Sequence, residues 1–164
     1  MVLTSITFAV FSVTLSRHIL KAGLYFIGSA AILIGSAIVV FGIQLVGEFF
    51  SAVVNLLYAA GPMTDLGSPN DDSELRFYAV FFAAFGVLMV QSARHLEKYS
   101  ARIPLLLALF FAGGLARAVS YIAVGPPHAL FILLMGIELI APPLLWLAWR
   151  KTSLVGNTNL HNRQ

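Results

Sequence analysis

The sequence predicts an all-α membrane domain: a four-transmembrane-helix bundle with short loops. Three observations predict it. Hydrophobic residues fill 59% of the 164 positions and charged residues only 10%, against about 25% charged in an ordinary soluble domain. Apolar runs approaching or exceeding the roughly 20 residues needed to cross a bilayer recur four times along the chain. Basic residues gather between alternate runs, the pattern by which membrane proteins encode orientation.

Residues 1–21 form an N-terminal lead-in. Positions 1–16 are apolar with interleaved Thr and Ser, but no positive residue precedes them, which makes a poor signal peptide. Sixteen residues are also marginal for a span, so an interfacial or loosely ordered segment ending at Arg17, His18 and Lys21 is expected. The transmembrane domain occupies 22–150. Its first span, 22–47, carries no charge and has Gly28, Gly35 and Gly42 at seven-residue intervals, with Ala31 one turn before Gly35. Small residues so spaced make a stripe on which another helix can pack closely.

Residues 49–60 are apolar but too short for a separate span; they either lie along the interface or extend the first helix. Gly, Pro, Asn and Asp then mark a loop over 61–73. Asp71, Asp72 and Glu74 precede the second span, 75–93, where carboxylates favour a helix N-terminus. A short basic loop with Arg94, His95, Lys98 and Arg102 leads to the third span, 103–124. Gly125-Pro126-Pro127 ends it. The fourth span, 129–149, closes on Trp146, Trp149, Arg150 and Lys151 as an interfacial anchor, and 151–164 is an irregular polar cytoplasmic tail.

Eight of the ten basic residues fall on one side of this topology: Arg17, Lys21, Arg94, Lys98, Arg102, Arg150, Lys151 and Arg163. The other side holds Glu48, Asp65, Asp71, Asp72 and Glu74. The positive-inside rule then puts both termini in the cytoplasm, and the setting expected is a bacterial cytoplasmic (inner) membrane. A net charge of +3 is too small and too scattered for a nucleic-acid surface. The absence of cysteine excludes disulfides, thiolate catalysis, iron–sulfur clusters and lipoprotein acylation.

Two charges stand inside spans, Arg117 in the third and Glu138 in the fourth. An ionised group at such depth is costly, and such groups face protein or water and pair with one another. Arg117 lies about ten residues before the Pro-Pro turn and Glu138 about eleven after it. At about 1.5 Å per residue their depths differ by only a few ångströms. Pro142 and Pro143 lack N–H groups and so free the carbonyls of Glu138 and Leu139, which a guanidinium with five donors could satisfy. Gly113, Ser120 and Tyr121 share the Arg117 face and add room and hydroxyls. Two readings stay open: a lock between the last two helices, or a polar pocket for a ligand, proton or lipid headgroup.

Glu74 and Arg76 form a second constellation at the outer mouth of span two. Helix capping and a snorkelling arginine explain them without any function. Glu48 stands on the same rim, and Gln44 is placed to reach toward the pocket. None of His18, His95, His128 or His161 lies inside a span, which argues against haem or pigment ligation. His128, over the outer mouth of the Arg117–Glu138 layer, is the one histidine worth testing. No metal-binding spacing, phosphate loop or nucleophile elbow occurs, so no cofactor, metal or catalytic residue is assigned.

The second half resembles a family of small bacterial four-helix membrane proteins catalogued as domain of unknown function 4345. The resemblance rests on Glu74-Leu75-Arg76, Gly86, Gly113-Gly114-Leu115-Ala116-Arg117 with Ser120, Gly125-Pro126, and Glu138 followed by Pro142. It implies four helices and the importance of Arg117 and Glu138, and no activity. Three functions compete. The first is a non-enzymatic module, either an accessory subunit of a membrane complex or a binder of a small lipophilic ligand. The others are a transporter component and an enzyme acting on a lipid or isoprenoid. Pairing with arginine leaves Glu138 a poor acid near neutral pH, and inverted-repeat transport needs broken helices in both halves. Membrane lipids are the expected surroundings, with a membrane-protein partner or a second copy as further partners, and no nucleic acid.

Overall fold

In a computed structural model the chain is described over residues 2–161 except 57, 59–60 and 64–65, with side chains described over 12–153 apart from the same gaps. The described residues are helical or irregular, with no strand. The helices are α1 (Val2–Phe41), α2 (Ile43–Asn55), α3 (Pro69–Arg94), the single turn α4 (Leu96–Tyr99), α5 (Ile103–Val124) and α6 (Ala129–His161). A 3₁₀ turn, Ser100–Arg102, links α4 to α5. Four stretches are long and apolar enough to cross a membrane: Ser12–Phe41, Pro69–Arg94, Leu96–Val124 and Ala129–Ser153. The protein is a multi-pass membrane protein.

The first span departs from expectation at both ends. The helix does not stop at Arg17 and Lys21; α1 runs through them, so the backbone of the lead-in is continuous with the span. Arg17 is a good helix former and does not interrupt the turn; its side chain reaches out to Glu97 (Nη2–Oε1 2.7 Å). At the other end α1 stops at Phe41, because Gly42 takes φ +82°. That left-handed region is open to glycine and strained for side chains carrying Cβ. The apolar stretch after the break becomes a helix of its own, α2, which buries Ile43, Val46, Gly47 and Ser51 on one face.

The second span likewise begins earlier than position 75. Ser68 caps α3, accepting from the Asp71 amide at 3.1 Å, with Pro69 in the first turn. Continuity also extends α6, which passes through Pro142 and Pro143 and carries on to His161. The tail is therefore helical backbone over most of the stretch expected to be irregular; residues 162–164, including Arg163, lie outside the described residues, as does Asp65.

α1 is the central helix, with α3 on one side and α6 on the other, and α5 packs on α6. The α1–α3 contact is the closest. A Cβ placed on Gly28 would stand 2.8 Å from the Gly86 carbonyl oxygen, and one on Gly35 would stand 2.7 Å from that of Ala79. Backbone meets backbone there, as the small-residue stripe requires. Gly42, the third glycine of the stripe, is instead the hinge between α1 and α2.

The buried core is concentrated at the basic end of the bundle. Leu20, Leu24 and Ile27 of α1 meet Met89 and Ala93 of α3, Ile103, Leu106 and Leu107 of α5, and Leu145 and Ala148 of α6. α3 and α5 touch little compared with the other neighbouring helices, and the site lies between the two of them and α6.

Candidate functional site

Gly114 brings α5 against α6: a Cβ there would stand 2.9 Å from Cβ of Glu138 and 3.0 Å from the Leu139 side chain. One turn later on the same side of α5 comes Arg117, at the i+3 position that faces the same neighbour. Its Nε donates to Glu138 Oε2 at 2.8 Å. The Glu138 side chain is 9% exposed and that of Arg117 38%. The carboxylate is thus enclosed between the helices, while the guanidinium is enclosed on one edge only. The ring of Phe131 lies 5.5 Å from its central carbon, a cation–π contact from α6.

Among the described residues the pair's single hydrogen bond uses Nε. The carbonyls of Glu138 and Leu139, expected to draw the guanidinium, receive no hydrogen bond from it. Among the described residues the four N–H groups on the terminal nitrogens have no acceptor, and neither nitrogen is sealed from the surroundings. The pair borders a cleft of about 280 Å³ lined by Phe82 and Phe85 of α3, Leu109, Phe110, Gly113 and Arg117 of α5, and Glu138 of α6. Gly113 keeps the floor open, its nearest neighbour across the gap being Glu138 Oε2 at 4.0 Å from a Cβ placed there. Phe85 and Phe110 stack across the α3–α5 boundary with centroids 6.0 Å apart and planes 20° apart.

The structure brings some predicted residues together and not others. Arg117, Glu138 and Gly113 share one site. Ser120 and Tyr121, one turn beyond Arg117 on the same side of α5, are exposed and make no described hydrogen bond to the pair. Gln44 does not reach the pocket; its Nε2 donates to Glu48 Oε1 at 3.1 Å, one turn on.

Arg76 belongs elsewhere. Its partner is Asp72, one turn back (Nε–Oδ2 2.7 Å), and not Glu74, which is exposed. Together they close the α1–α2 break. In a continuous helix the Ile43 amide would bond the Val39 carbonyl. At Gly42 that bond is lost, and Arg76 Nη1 donates to Val39 O at 2.6 Å while Asp72 Oδ1 accepts from Ile43 N at 3.4 Å. The guanidinium and carboxylate substitute for the missing helix bond, satisfying groups that would be costly to leave bare in an apolar setting. The i,i+4 spacing of Asp72 and Arg76 was the readable signal; the α1 carbonyl it serves was not.

His128 caps α6. Its Nδ1 accepts from the Leu130 amide at 3.2 Å, and its Nε2 lies 3.1 Å from the Gly61 carbonyl. The two bonds together assign the neutral ring with its proton on Nε2. Ser51 Oγ and Asn55 Nδ2 donate to the same carbonyl. The histidine thus fastens the α5–α6 hairpin to α2 and its loop. Arg102 does more than mark topology: it donates to Ser92 Oγ (2.9 Å) and Leu88 O (3.2 Å) and covers the Tyr99 ring at 3.7 Å. Among the described residues no three His, Cys, Asp or Glu side chains gather as metal ligands would.

No curated protein and no solved structure matches the chain. The sequence model of the family described as a domain of unknown function (DUF4345) matches residues 19–149, and the chain belongs to that family.

Proposed function

We propose that this DUF4345 member is a non-enzymatic binding module that holds a small lipophilic ligand in the cleft between α3, α5 and α6, with the ligand's polar end at Arg117–Glu138. One observation carries the reading. Arg117 uses Nε for Glu138, spends no other donor among the described residues, and lines a cleft walled by Phe82, Phe85 and Phe110. Apolar walls with a few convergent polar groups are the usual make-up of a small-molecule site. A pure lock between two helices would spend the guanidinium's donors on protein.

The setting we propose is a bacterial inner membrane with the Arg94–Arg102 end and both termini in the cytoplasm, supported by the collection of basic residues at that end. Purification in mild detergent followed by native mass spectrometry tests the function. About one small apolar molecule should stay with each wild-type chain and be lost from Gly113→Leu, which adds bulk to the cleft lining at a position where a Cβ meets no backbone. Retention of a stoichiometric protein in place of a small molecule would favour the accessory-subunit reading instead.

A further inference from the structure

Resting on the reading of the cleft as a ligand site, we infer that its occupant is an uncharged lipophile whose polar end is a hydrogen-bond-accepting carbonyl, such as an ester or ketone. The donor count sets the first condition. Among the described residues four N–H groups of Arg117 have no acceptor, and its side chain is 38% exposed against 9% for Glu138. Beside the Glu138 carboxylate, which only accepts, the polar end of the cleft therefore offers the Arg117 donors, and the group complementary to them is an acceptor.

Charge sets the second condition. Arg117 and Glu138 are in contact at 2.8 Å and together carry no net charge. An anion at the free edge of the guanidinium would feel the carboxylate only slightly farther away, so most of its attraction would be cancelled. It would still bear the full cost of leaving water. A cation near the carboxylate meets the mirror image of this problem. A carbonyl loses far less on desolvation and takes up the same N–H groups.

Depth sets the third condition. Arg117 lies seven residues before the last residue of α5, Val124, which is about 10 Å below the helix end. Phospholipid headgroups stay at the interface, above that level. A polar group that descends so far is one that crosses hydrocarbon uncharged. The body of the molecule then lies against Phe82, Phe85 and Phe110.

Three probes sharing one tail test this: methyl palmitate, palmitate and hexadecylamine, each isotopically labelled and bound to the full-length protein in lipid nanodiscs. Methyl palmitate should bind at least about tenfold more tightly than either charged probe. Gly113→Leu should lose it, and Glu138→Gln, which strips Arg117 of its counter-charge, should shift preference toward palmitate. Equal or tighter binding of palmitate or hexadecylamine to the wild type would overturn the uncharged-ligand inference. If that binding is still lost in Gly113→Leu, the cleft reading survives. Binding of none of the three, or binding unaffected by Gly113→Leu, would overturn both. Should Glu138→Gln not fold, the ranking of the three probes on the wild type decides alone.

Discussion

Gly35→Ala isolates the contact on which the α1–α3 pairing depends. Replacing glycine by alanine inside a helix ordinarily gains about 1 kcal/mol. At Gly35 the added methyl would stand 2.7 Å from Ala79 O and 2.9 Å from Ala83 N, against the 3.4 Å at which ordinary contact begins. Both atoms are backbone, so the helices must move apart, and overpacking of this kind costs about 1–3 kcal/mol. Separation also weakens the neighbouring Gly28–Gly86 contact, since lipid-embedded helices associate largely through close packing. The cost exceeds the gain, and Gly35→Ala should be net destabilising by about 1 kcal/mol or more. Gly136 in α6 has nothing within 4 Å of such a methyl; Gly136→Ala should be stabilising by up to about 1 kcal/mol. Reversible unfolding of purified protein in mixed detergent reads both. Stabilisation by Gly35→Ala, or equal effects at the two sites, would refute the argument from backbone contact.

At the α1–α2 break, Asp72→Ala should leave the Ile43 amide without its acceptor and raise hydrogen exchange over residues 39–46, while Glu74→Ala should change nothing there. His128→Ala removes the cap on Leu130 and the tie to Gly61, and should cost about 1 kcal/mol, seen as a lower midpoint in thermal unfolding. Cysteines at the exposed positions Asn70 and Ala101 should report orientation in intact cells. An impermeant thiol reagent should label Asn70→Cys and spare Ala101→Cys, and the reverse pattern would invert the proposed topology.

The spans were legible because an apolar run long enough to cross a bilayer is a property of one segment. So was the Arg117–Glu138 pair: two charges in apolar helices joined by a tight hairpin have few other places to go. Gly28 and Gly35 were readable as packing positions for the same reason. Gly42 was not, although it continues their seven-residue period. Its role depends on Asp72 and Arg76, some thirty residues later, which take over the hydrogen bond the break removes. Glu74 drew attention by adjacency, whereas the helical period selects Asp72 as the partner of Arg76. α1 also continues through Arg17 and Lys21, since basic residues are good helix formers and mark the membrane boundary without ending a helix. The cleft was least legible of all. Phe82, Phe85 and Phe110 read as ordinary lipid-facing or core aromatics until the packing order of the helices leaves α3 and α5 apart.

The claim that Arg117 and Glu138 anchor a ligand, and do not merely lock α5 to α6, is tested most directly by measuring retained small molecule per folded chain in Arg117→Gln with Glu138→Gln. Either change alone leaves a charge uncompensated and should cost about 3–5 kcal/mol. The double variant replaces the ion pair by two amides that bond each other, so the fold should largely recover. The account predicts a stable double variant from which the retained molecule has disappeared. A stable double variant that keeps the molecule at the wild-type ratio would contradict it and leave the pair as a structural lock.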